Sequence, residues 1–330
     1  MSRKIRILFA DGLDERAARE LEERREIFDF KICHKISRAE LLLRIHEFDA
    51  LAVRSSTIVD REILEKAIRL QIVVRGGSGL DNIDLKSAAE RGITVLNTPD
   101  EGSDTTAEHT IGLLIAAARR IPQGNESLKQ GQWDRSLLGT ELAGKTLGIL
   151  GLGRIGRRVA KRLQAFEMKV VAYDPYIDKA IAEERGVELI KEWEVFLKAF
   201  DVLSLHLPYD TQTHHMIDER ALSKMRPGVL IVNCARGGII SEKAILQSLN
   251  EGHVLTFATD VFESEPPKSQ VATELLSHPR VVATPHLGAR TVEAQRKIGA
   301  ATVELLINFF ESKDRDRESE EAEASKVANE

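Results

Sequence analysis

The sequence is short of the features that would tie it to several classes of protein. Its 330 residues contain only two cysteines, Cys33 and Cys234, which lie far apart with no secretory leader before them. A reducing cytoplasm is the simplest interpretation, because disulfides persist mainly in oxidising compartments. No apolar run approaches the roughly 18 residues that a membrane-spanning helix needs. The sequence therefore predicts a cytoplasmic protein outside the membrane.

The sequence also lacks a large excess of positive or negative charge. The formal net charge is −5, and −4 of it falls in the last 20 residues, which hold eight acids and four bases. The near-neutral remainder lacks the basic surplus of proteins that bind nucleic acid or anionic membranes. Metal-ligand spacing is missing too, since His214 and His215 have no third ligand nearby in the sequence. We expect neither nucleic acid, membrane nor metal as a partner.

What is present is a long alternation of short apolar strands and amphipathic helices. Five strand-like segments occupy the first hundred residues, and a second series runs from KTLGIL (145–150) to VVAT (281–284). This alternation is typical of parallel sheets covered by helices, and the chain length favours two domains. The fold class is therefore expected to be α/β, with two doubly wound parallel sheets.

Two longer helices and a tail complete the prediction. One helix is predicted from about Asp104 to Arg120, ending near Pro122, and another from about Thr291 to Phe310. Residues 313–330 are charged and almost free of large apolar side chains. That composition predicts a disordered tail.

A glycine loop lies at 151–156, between a predicted strand and a predicted helix. Its sequence, GLGRIG, matches the G-x-G-x-x-G pattern. Gly151 permits the tight turn, Gly153 lets a pyrophosphate approach the backbone, and Gly156 lets helix pack on strand. Free amides at the helix start hold phosphates. Asp174 ends the next strand, where a carboxylate binds ribose hydroxyls and repels a 2′-phosphate, which favours NAD over NADP. A purely structural βαβ turn is the alternative.

Three further strand ends carry a polar side chain. Arg236 follows GVLIVNC, Glu265 follows the strand that ends at Asp260, and His286 follows VVATP. Open α/β sheets bind ligands at the carboxyl ends of their strands. Histidine suits the proton transfer that accompanies hydride transfer, a carboxylate orients the ring, and arginine grips a substrate carboxylate. Each residue alone could be an ordinary loop residue, but their shared placement favours a catalytic set.

The chain resembles the D-isomer-specific 2-hydroxyacid dehydrogenases over residues 4–310. The matching segments are VRSST (53–57), VVRGGSGLDNIDLKSAAERGITVLNTP (73–99), TAEHTIGLLIAAARRIP (106–122), GTELAGKTLGILGLGRIG (139–156), VNCARGGII (232–240), DVFESEPP (260–267) and TPHLGARTVEAQ (284–295). The resemblance implies a flavodoxin-like substrate domain (1–98) into which a Rossmann NAD domain with a dimerisation helix (99–288) is inserted. A return helix (289–312) would complete the substrate domain. It also implies a cleft between the domains and a homodimer or higher homo-oligomer.

The same resemblance assigns roles. Arg236 would bind and polarise the substrate, His286 would act as the acid/base, and Glu265 would orient it. Asp260 would face the carboxamide of NAD. The positions implied to contact NAD are Ser78, Gly151, Gly153, Arg154, Ile155, Gly156, Asp174, Cys234, Ala235, Arg236, Asp260, His286 and Gly288.

Within the family, the pattern is nearest to the enzymes that oxidise D-3-phosphoglycerate in serine biosynthesis, without their regulatory domain. A phosphorylated substrate needs cationic partners, and Arg54 and Arg75 both end strands of the first series. We expect the amides of Gly76 and Gly77, together with Arg54, to hold its acid groups. Further candidate contacts are Ser55, Asn97 and, from a partner subunit, Arg135, which could equally be a solvated surface arginine.

Two other functions fit the same residues. One is a relative that reduces glyoxylate, hydroxypyruvate or another 2-keto acid. The other is an NAD-sensing binding protein of the family's corepressor branch, which would bind NADH but turn over every acid poorly.

Overall fold

The computed structural model describes residues 3–327, apart from the side chains of 314 and 316–327. The chain divides into two compact units, one formed by Met1–Gly102 with Thr291–Glu330 and the other by Ser103–Arg290. The first unit is thus built from both ends of the chain. These divisions lie a few residues after the joins at 98/99 and 288/289 that the sequence favoured.

The first unit contains a sheet of five parallel strands. They are β1 (Ile5–Phe9), β2 (Phe28–Ile32), β3 (Ala50–Val53), β4 (Ile72–Arg75) and β5 (Thr94–Asn97). Their order in the sheet is β2-β1-β3-β4-β5, which is the flavodoxin-like order. The intervening helices are α1 (Glu15–Glu22), α2 (Arg38–Arg44), α3 (Arg61–Lys66) and α4 (Leu85–Glu90).

The second unit contains a sheet of seven parallel strands. It begins with α5 (Ser103–Ala118) and α6 (Ile121–Lys129). The strands are β6 (Thr146–Leu150), β7 (Lys169–Tyr173), β8 (Glu188–Leu189), β9 (Val202–Leu205), β10 (Val229–Asn233), β11 (Val254–Thr259) and β12 (Val281–Ala283). The helices between them are α7 (Arg154–Gln164), α8 (Lys179–Glu183), α9 (Trp193–Phe196), α10 (Glu219–Lys224), α11 (Glu242–Asn250) and α12 (Gln270–Ser277). The order β12-β11-β10-β9-β6-β7-β8 contains the Rossmann order.

The α/β class and both parallel sheets confirm the prediction from alternation. Each sheet is covered on both faces by apolar side chains, as parallel sheets require. Because the strands and their covering helices are filled with apolar residues, the loops at the carboxyl ends of the strands are left to carry polar chemistry. None of the helices in the described part of the chain combines the length and apolarity needed to cross a membrane.

The helix predicted for 104–120 ends earlier than the sequence indicated. It stops at Ala118, and Arg120 adopts a left-handed φ of 54° before α6 begins. Pro122 does not end this helix but lies in the first turn of α6, where the missing N–H of proline has no helical partner to lose. The two-residue strand β8 has no signal in the sequence pattern.

The last helix, α13 (Val292–Val327), is much longer than predicted. Its first turns belong to the first unit, where Val303, Leu306 and Ile307 are buried in the core. The disordered tail expected at 313–330 is helical up to Val327, and residues 328–330 lie outside the described part. Glu, Arg, Lys and Ala are strong helix formers, so an already nucleated helix can extend through a segment rich in them.

Candidate active site

The glycine loop after β6 has the shape expected for a dinucleotide phosphate site. Gly151 has a φ of 92°, and Gly153 caps the start of α7. A Cβ on Gly156 would lie 2.2 Å from the carbonyl oxygen of Gly151, so no side chain fits there. A Cβ on Gly153 would meet nothing within 4 Å. Open space therefore lies at the start of α7, and a helix N-terminus attracts an anion.

Asp174 follows β7 and is 9% exposed. Its Oδ2 accepts the amide of Leu152 and its Oδ1 accepts the amide of Tyr176, both at 2.9 Å. Each carboxylate oxygen keeps a lone pair for a ribose hydroxyl. The glycine cradle and this carboxylate fit NAD, with Arg154 and Ile155 opening the helix whose amides would hold its phosphates.

The end of β10 fixes the backbone around Arg236. Asn233 accepts the amide of Ala235 at 3.0 Å and donates to the carbonyl of Arg236 at 2.9 Å. A Cβ on Gly237 would lie 1.9 Å from the carbonyl carbon of Phe262, so this position requires glycine. Arg236 is therefore held in place on both sides, with its guanidinium half-buried.

The thiol of Cys234 lies next to Arg236 but is unsuited to covalent chemistry. Burial raises its pKa to about 12, which a hydrogen bond with Thr110 only partly offsets. A nucleophilic cysteine needs the thiolate form near neutral pH. Cys234 therefore contributes an apolar wall to the site and no nucleophile.

His286 and Glu265 form a hydrogen-bonded pair. The ring Nδ1 lies 2.6 Å from Glu265 Oε2, and the two side chains are 33% and 38% exposed. Because an ionised carboxylate only accepts, the proton of a neutral ring lies on Nδ1 and the Nε2 lone pair is available as a base. His286 has a φ of 54°, a left-handed conformation that is uncommon outside glycine.

Asp260, which follows β11, holds the loop that carries His286. Its Oδ1 accepts the Leu287 amide at 2.7 Å and the Thr284 hydroxyl at 2.6 Å, and its Oδ2 accepts the Gly288 amide at 2.8 Å. Burial opposes ionisation of this carboxyl. The hydrogen bonds, including one from His109, outweigh burial and hold its pKa below the ordinary value.

Asp260 therefore holds the loop that carries His286, a role that the sequence did not reveal. Its Oδ2 accepts the amide of Gly288 and keeps a lone pair for the carboxamide contact expected of it. Sequence reasoning also missed Asn233, His109 and Thr284. The available signal was polar residues in otherwise apolar segments, at the end of a strand for Asn233 and Thr284 and within a helix for His109.

A pocket of about 390 Å³ with mostly apolar walls opens beside the pair. Besides Glu265 and His286, it is lined by Phe262, Pro266, Pro267, Leu276, Ala283, Thr284 and Pro285. An apolar wall lowers the local dielectric, which strengthens the hydrogen bond between the two side chains.

In the first unit, Arg54 follows β3 and its surroundings are tightly organised. Its amide donates to Asp11 Oδ2 at 2.7 Å, and its side chain bonds to Gln295. The Nδ2 of Asn82 donates to the Arg54 carbonyl at 2.7 Å. Ser55, which follows, is exposed. The guanidinium of Arg54 therefore sits on a braced turn and is held by a neutral amide group.

The amides of Gly76 and Gly77, which we expected to hold an acid group of the substrate, are hydrogen-bonded within the first unit in this structure. Gly76 donates to the carbonyl of Val53 at 2.9 Å, and Gly77 donates to the hydroxyl of Thr98 at 2.7 Å. Each amide has a single hydrogen, so neither is available to a ligand while these bonds last.

Three further predicted substrate residues are Arg75, Asn97 and Arg135. Arg75 is 8% exposed, and its side chain lies over Gly77, where a Cβ would fall 2.0 Å from Nη1. Asn97 donates to the carbonyl of Ser78 at 2.6 Å and so shapes the 76–78 loop. Arg135 is exposed in the segment after α6. In the described part of the chain, no cluster of three or more potential ligands could hold a metal ion.

The fold and site of the second unit define a class of protein. A glycine cradle, a ribose-binding carboxylate, an arginine and a histidine–glutamate pair follow the carboxyl ends of five strands of one Rossmann sheet. This is the arrangement of a nicotinamide-dependent dehydrogenase unit.

Comparison with known proteins defines the family. Residues 111–288 match the family model described as D-isomer specific 2-hydroxyacid dehydrogenase, NAD binding domain. The D-3-phosphoglycerate dehydrogenase of Methanocaldococcus jannaschii is 46% identical over 303 residues, which cover 92% of this chain and 57% of that protein. The hydroxypyruvate reductase of Thermotoga maritima is 43% identical, over 92% of this chain and 97% of that protein. The chain belongs to the D-isomer specific 2-hydroxyacid dehydrogenases, and its cofactor is NAD.

Solved structures agree with this assignment. A glyoxylate reductase from Paecilomyes thermophila aligns with a TM-score of 0.84 at 32% identity, covering 93% of this chain and 95% of that chain. A D-lactate dehydrogenase from Aquifex aeolicus, complexed with NAD and lactic acid, aligns at 0.83 and 28% identity, covering 93% and 96%. The chain spans little more than half the length of the phosphoglycerate dehydrogenase relative from M. jannaschii.

Proposed function

We propose that this chain catalyses the NAD-dependent oxidation of D-3-phosphoglycerate to 3-phosphohydroxypyruvate, the first step of serine biosynthesis. The observation that carries the proposal is the His286–Glu265 pair, with Arg236 after a neighbouring strand of the same sheet, on a chain 46% identical to a D-3-phosphoglycerate dehydrogenase. The spare Nε2 of the ring is what an alcohol oxidation needs.

In this mechanism, the substrate hydroxyl donates its proton to Nε2 of His286. Glu265 holds the ring by Nδ1 and stabilises the imidazolium that forms. Arg236 binds the substrate carboxylate and polarises the adjacent C–O bond. NAD, when bound along the glycine cradle and Asp174, supplies the acceptor for the hydride that leaves the substrate carbon. In the reductive direction, His286 returns the proton.

The substrate's phosphate is assigned to Arg54 and Arg75 of the first unit. Arg54 supports this because it is a permanent cation on a turn that Asp11 and Asn82 brace. The amides of Gly76 and Gly77 would contribute only where their bonds to Val53 and Thr98 open, and Ser55 and Asn97 remain as neighbours of the two arginines. Arg135 of a second subunit is a further candidate.

A second candidate function is the reduction of hydroxypyruvate. The T. maritima relative with that name matches this chain over 97% of its own length. The same His286, Glu265 and Arg236 would serve, without a phosphate site.

The test is the rate of NADH oxidation with 3-phosphohydroxypyruvate, hydroxypyruvate and glyoxylate at equal concentrations. We expect kcat/KM to be highest for the phosphorylated acid. Equal or reversed preference would assign the chain to the hydroxypyruvate or glyoxylate activity. NADH binding with negligible turnover of all three acids would favour the corepressor type.

Arg54→Ala tests the phosphate site separately. The loss of a charge-assisted contact should raise KM for 3-phosphohydroxypyruvate by roughly 10- to 100-fold, with a smaller change for hydroxypyruvate. Arg25→Ala, at an exposed arginine of the same unit, is the matched control. Equal effects of Arg54→Ala on both acids would remove Arg54 from the phosphate site.

We also propose that the protein is a cytoplasmic homodimer or higher homo-oligomer. Both cysteines are free, which suits a reducing compartment. Four large apolar side chains from α6 and the segment after it are exposed, a feature typical of subunit interfaces. They are Ile121, Leu128, Trp133 and Leu138. Light scattering should give at least twice the chain mass for the wild type and a smaller mass for Trp133→Ala/Leu138→Ala.

A further inference from the structure

A second histidine lies behind the loop that carries His286. His109, in the middle of α5, places its Nε2 at 3.2 Å from Asp260 Oδ1 and at 3.0 Å from the Thr284 hydroxyl oxygen. Its side chain is 22% exposed and that of Asp260 is 1% exposed. The contact therefore lies beneath the surface of the site.

The direction of this hydrogen bond follows from its partners. Asp260 is ionised and can only accept, and the Thr284 hydroxyl already donates its hydrogen to Oδ1 at 2.6 Å. His109 must therefore carry a hydrogen on Nε2 and share it between the carboxylate and the hydroxyl oxygen. Its ring acts as a fixed donor to a buried anion.

Asp260 also accepts hydrogen bonds from the loop that carries His286, so it links His109 to that loop. Its Oδ1 accepts the Leu287 amide at 2.7 Å, its Oδ2 accepts the Gly288 amide at 2.8 Å, and its carbonyl accepts the His286 amide at 2.9 Å. Three consecutive amides therefore donate to one residue, and the His286 amide is shared with the Thr284 carbonyl at 3.1 Å. They hold His286 in a left-handed conformation, with a φ of 54°, that its own side chain does not favour.

A second contact joins α5 to the same loop. A Cβ on Gly288 would lie 3.4 Å from the Cγ2 of Thr106, one helical turn before His109. The face of α5 that carries Thr106 and His109 thus lies against the loop through packing as well as through the carboxylate. A shift of the Asp260 carboxylate would move the loop relative to this face.

We propose that His109 is a positioning residue, which fixes the Asp260 carboxylate and through it the loop geometry that aims His286. This inference rests on the proposed function for its effect on catalysis, but its effect on the loop is independent of any substrate. The alternative is that His109 only fills space within the helix packing.

Two amide variants separate these explanations. In His109→Gln, the amide nitrogen reaches about as far as histidine Nε2 and can still donate. In His109→Asn, the amide nitrogen is one methylene short and cannot reach Asp260. Both substitutions are polar and smaller than histidine, so neither overfills the site. Glu108→Gln, at an exposed position on the same helix, is the control.

The first measurement is amide hydrogen exchange in the segment 284–290, without cofactor or substrate. Loss of a hydrogen bond to a buried charge should speed exchange at Leu287 and Gly288 by roughly tenfold in His109→Asn. His109→Gln and Glu108→Gln should stay close to the wild type. Unchanged exchange in His109→Asn, or equally fast exchange in His109→Gln, would overturn the proposal.

The second measurement is steady-state kinetics with the acid that the wild type turns over best. His109→Asn should lower kcat by roughly tenfold, with KM and the NADH dissociation constant changed less than twofold, and His109→Gln should restore kcat. A parallel rise in KM and in the NADH dissociation constant would contradict a positioning role. If the wild type turns over no acid, the proposed function fails, and the exchange experiment alone decides the role of His109.

Discussion

The loops 286–288 and 76–78 follow strand ends of different sheets. They differ in which of their hydrogen-bonding groups remain available to a ligand. In the first, the amides of Leu287 and Gly288 are taken up by Asp260, which leaves the ring Nε2 of His286 available. In the second, the amides of Gly76 and Gly77 are themselves taken up, by Val53 and Thr98. Both loops have hydrogen-bonded amides, but in 286–288 these bonds do not involve the ring Nε2 of His286.

The difference shows what a residue at a strand end needs in order to take part in binding or catalysis. Placing a polar residue at the carboxyl edge of a parallel sheet supplies a candidate and no more. What matters is whether the hydrogen bonds that hold the backbone consume the functional group or spare it. The loop at 286–288 is held through its backbone amides, which leaves the side chain of His286 available. The glycine loop at 76–78 was expected to act through its amides, and these are consumed.

The largest expected effect is at His286. His286→Asn should lower kcat by about 10³-fold, because general acid–base catalysis is removed while the loop backbone keeps its amide bonds. NADH binding, measured by fluorescence titration, should change less than twofold. A kcat within tenfold of the wild type would mean that the spared Nε2 is not the acid/base.

Glycine-to-alanine substitutions test the rigidity of the two loops. Gly77 has a φ of 129°, and its Cβ would fall 2.0 Å from Arg75 Nη1. Gly77→Ala should therefore cost about 1–3 kcal/mol of unfolding free energy in urea denaturation. Gly288 has no such φ, and its nearest contact would be 3.3 Å, to Asp260 Oδ2. Gly288→Ala should cost less stability and act mainly on kcat; the reverse order would show that 76–78 is the looser loop.

A partly buried histidine, His206, gives the second unit a pH dependence. Burial lowers the pKa of His206 to about 3, and its Nε2 lies 2.8 Å from the Ser204 hydroxyl. Between pH 6.5 and 3, the unfolded chain binds a proton at this residue that the folded chain does not. Stability is therefore lost as the pH falls, by about 1.4 kcal/mol per pH unit from this group.

The measurement is urea unfolding at pH 5.5 and 4.5 for the wild type and His206→Gln. The variant should lose less stability over this interval by about 1.4 kcal/mol. His34→Gln, at an exposed histidine of the first unit, is the control. Identical pH dependence of wild type and His206→Gln would show that this ring is accessible to protons in the folded state.

The smallest effect concerns the two thiols, one in each unit. Cys234 is buried with its pKa raised to about 12, whereas Cys33 is partly accessible. Iodoacetamide at pH 8 should modify Cys33 and leave Cys234 unmodified until the protein is unfolded. Mass spectrometry of the labelled peptides measures both. Fast labelling of native Cys234 would contradict the closed packing beside Arg236.

Several features of the site could be predicted from the sequence because they depend on residues close together in the chain. GLGRIG needs its glycines within one strand–turn–helix unit, so spacing alone predicted the cradle and Asp174. Arg236, Glu265 and His286 were recognisable because each follows an apolar strand. Their residue roles remain predictions, but the structure brings Glu265 and His286 within 2.6 Å of each other, which spacing alone did not require.

Other features depended on partners distant in the chain. His109 and Asp260 are 151 residues apart, and Gly77 and Thr98 are 21 apart. No sequence pattern shows which hydrogen-bond donors such pairs consume. The end of α13 was misjudged for a different reason, because low apolarity predicts little burial but does not prevent a helix from extending.

By itself, the sequence determined the alternation of strands and helices, the class of both sheets and the chemical types at their carboxyl edges. Periodicity and glycine spacing act over a few residues, so they can be recognised without knowing the fold. Only the tertiary structure decided which polar groups are used up in holding the backbone and which are left for a ligand. Hydrogen bonds are directional and each donor hydrogen is used once, so their allocation is known only when every neighbour is in place.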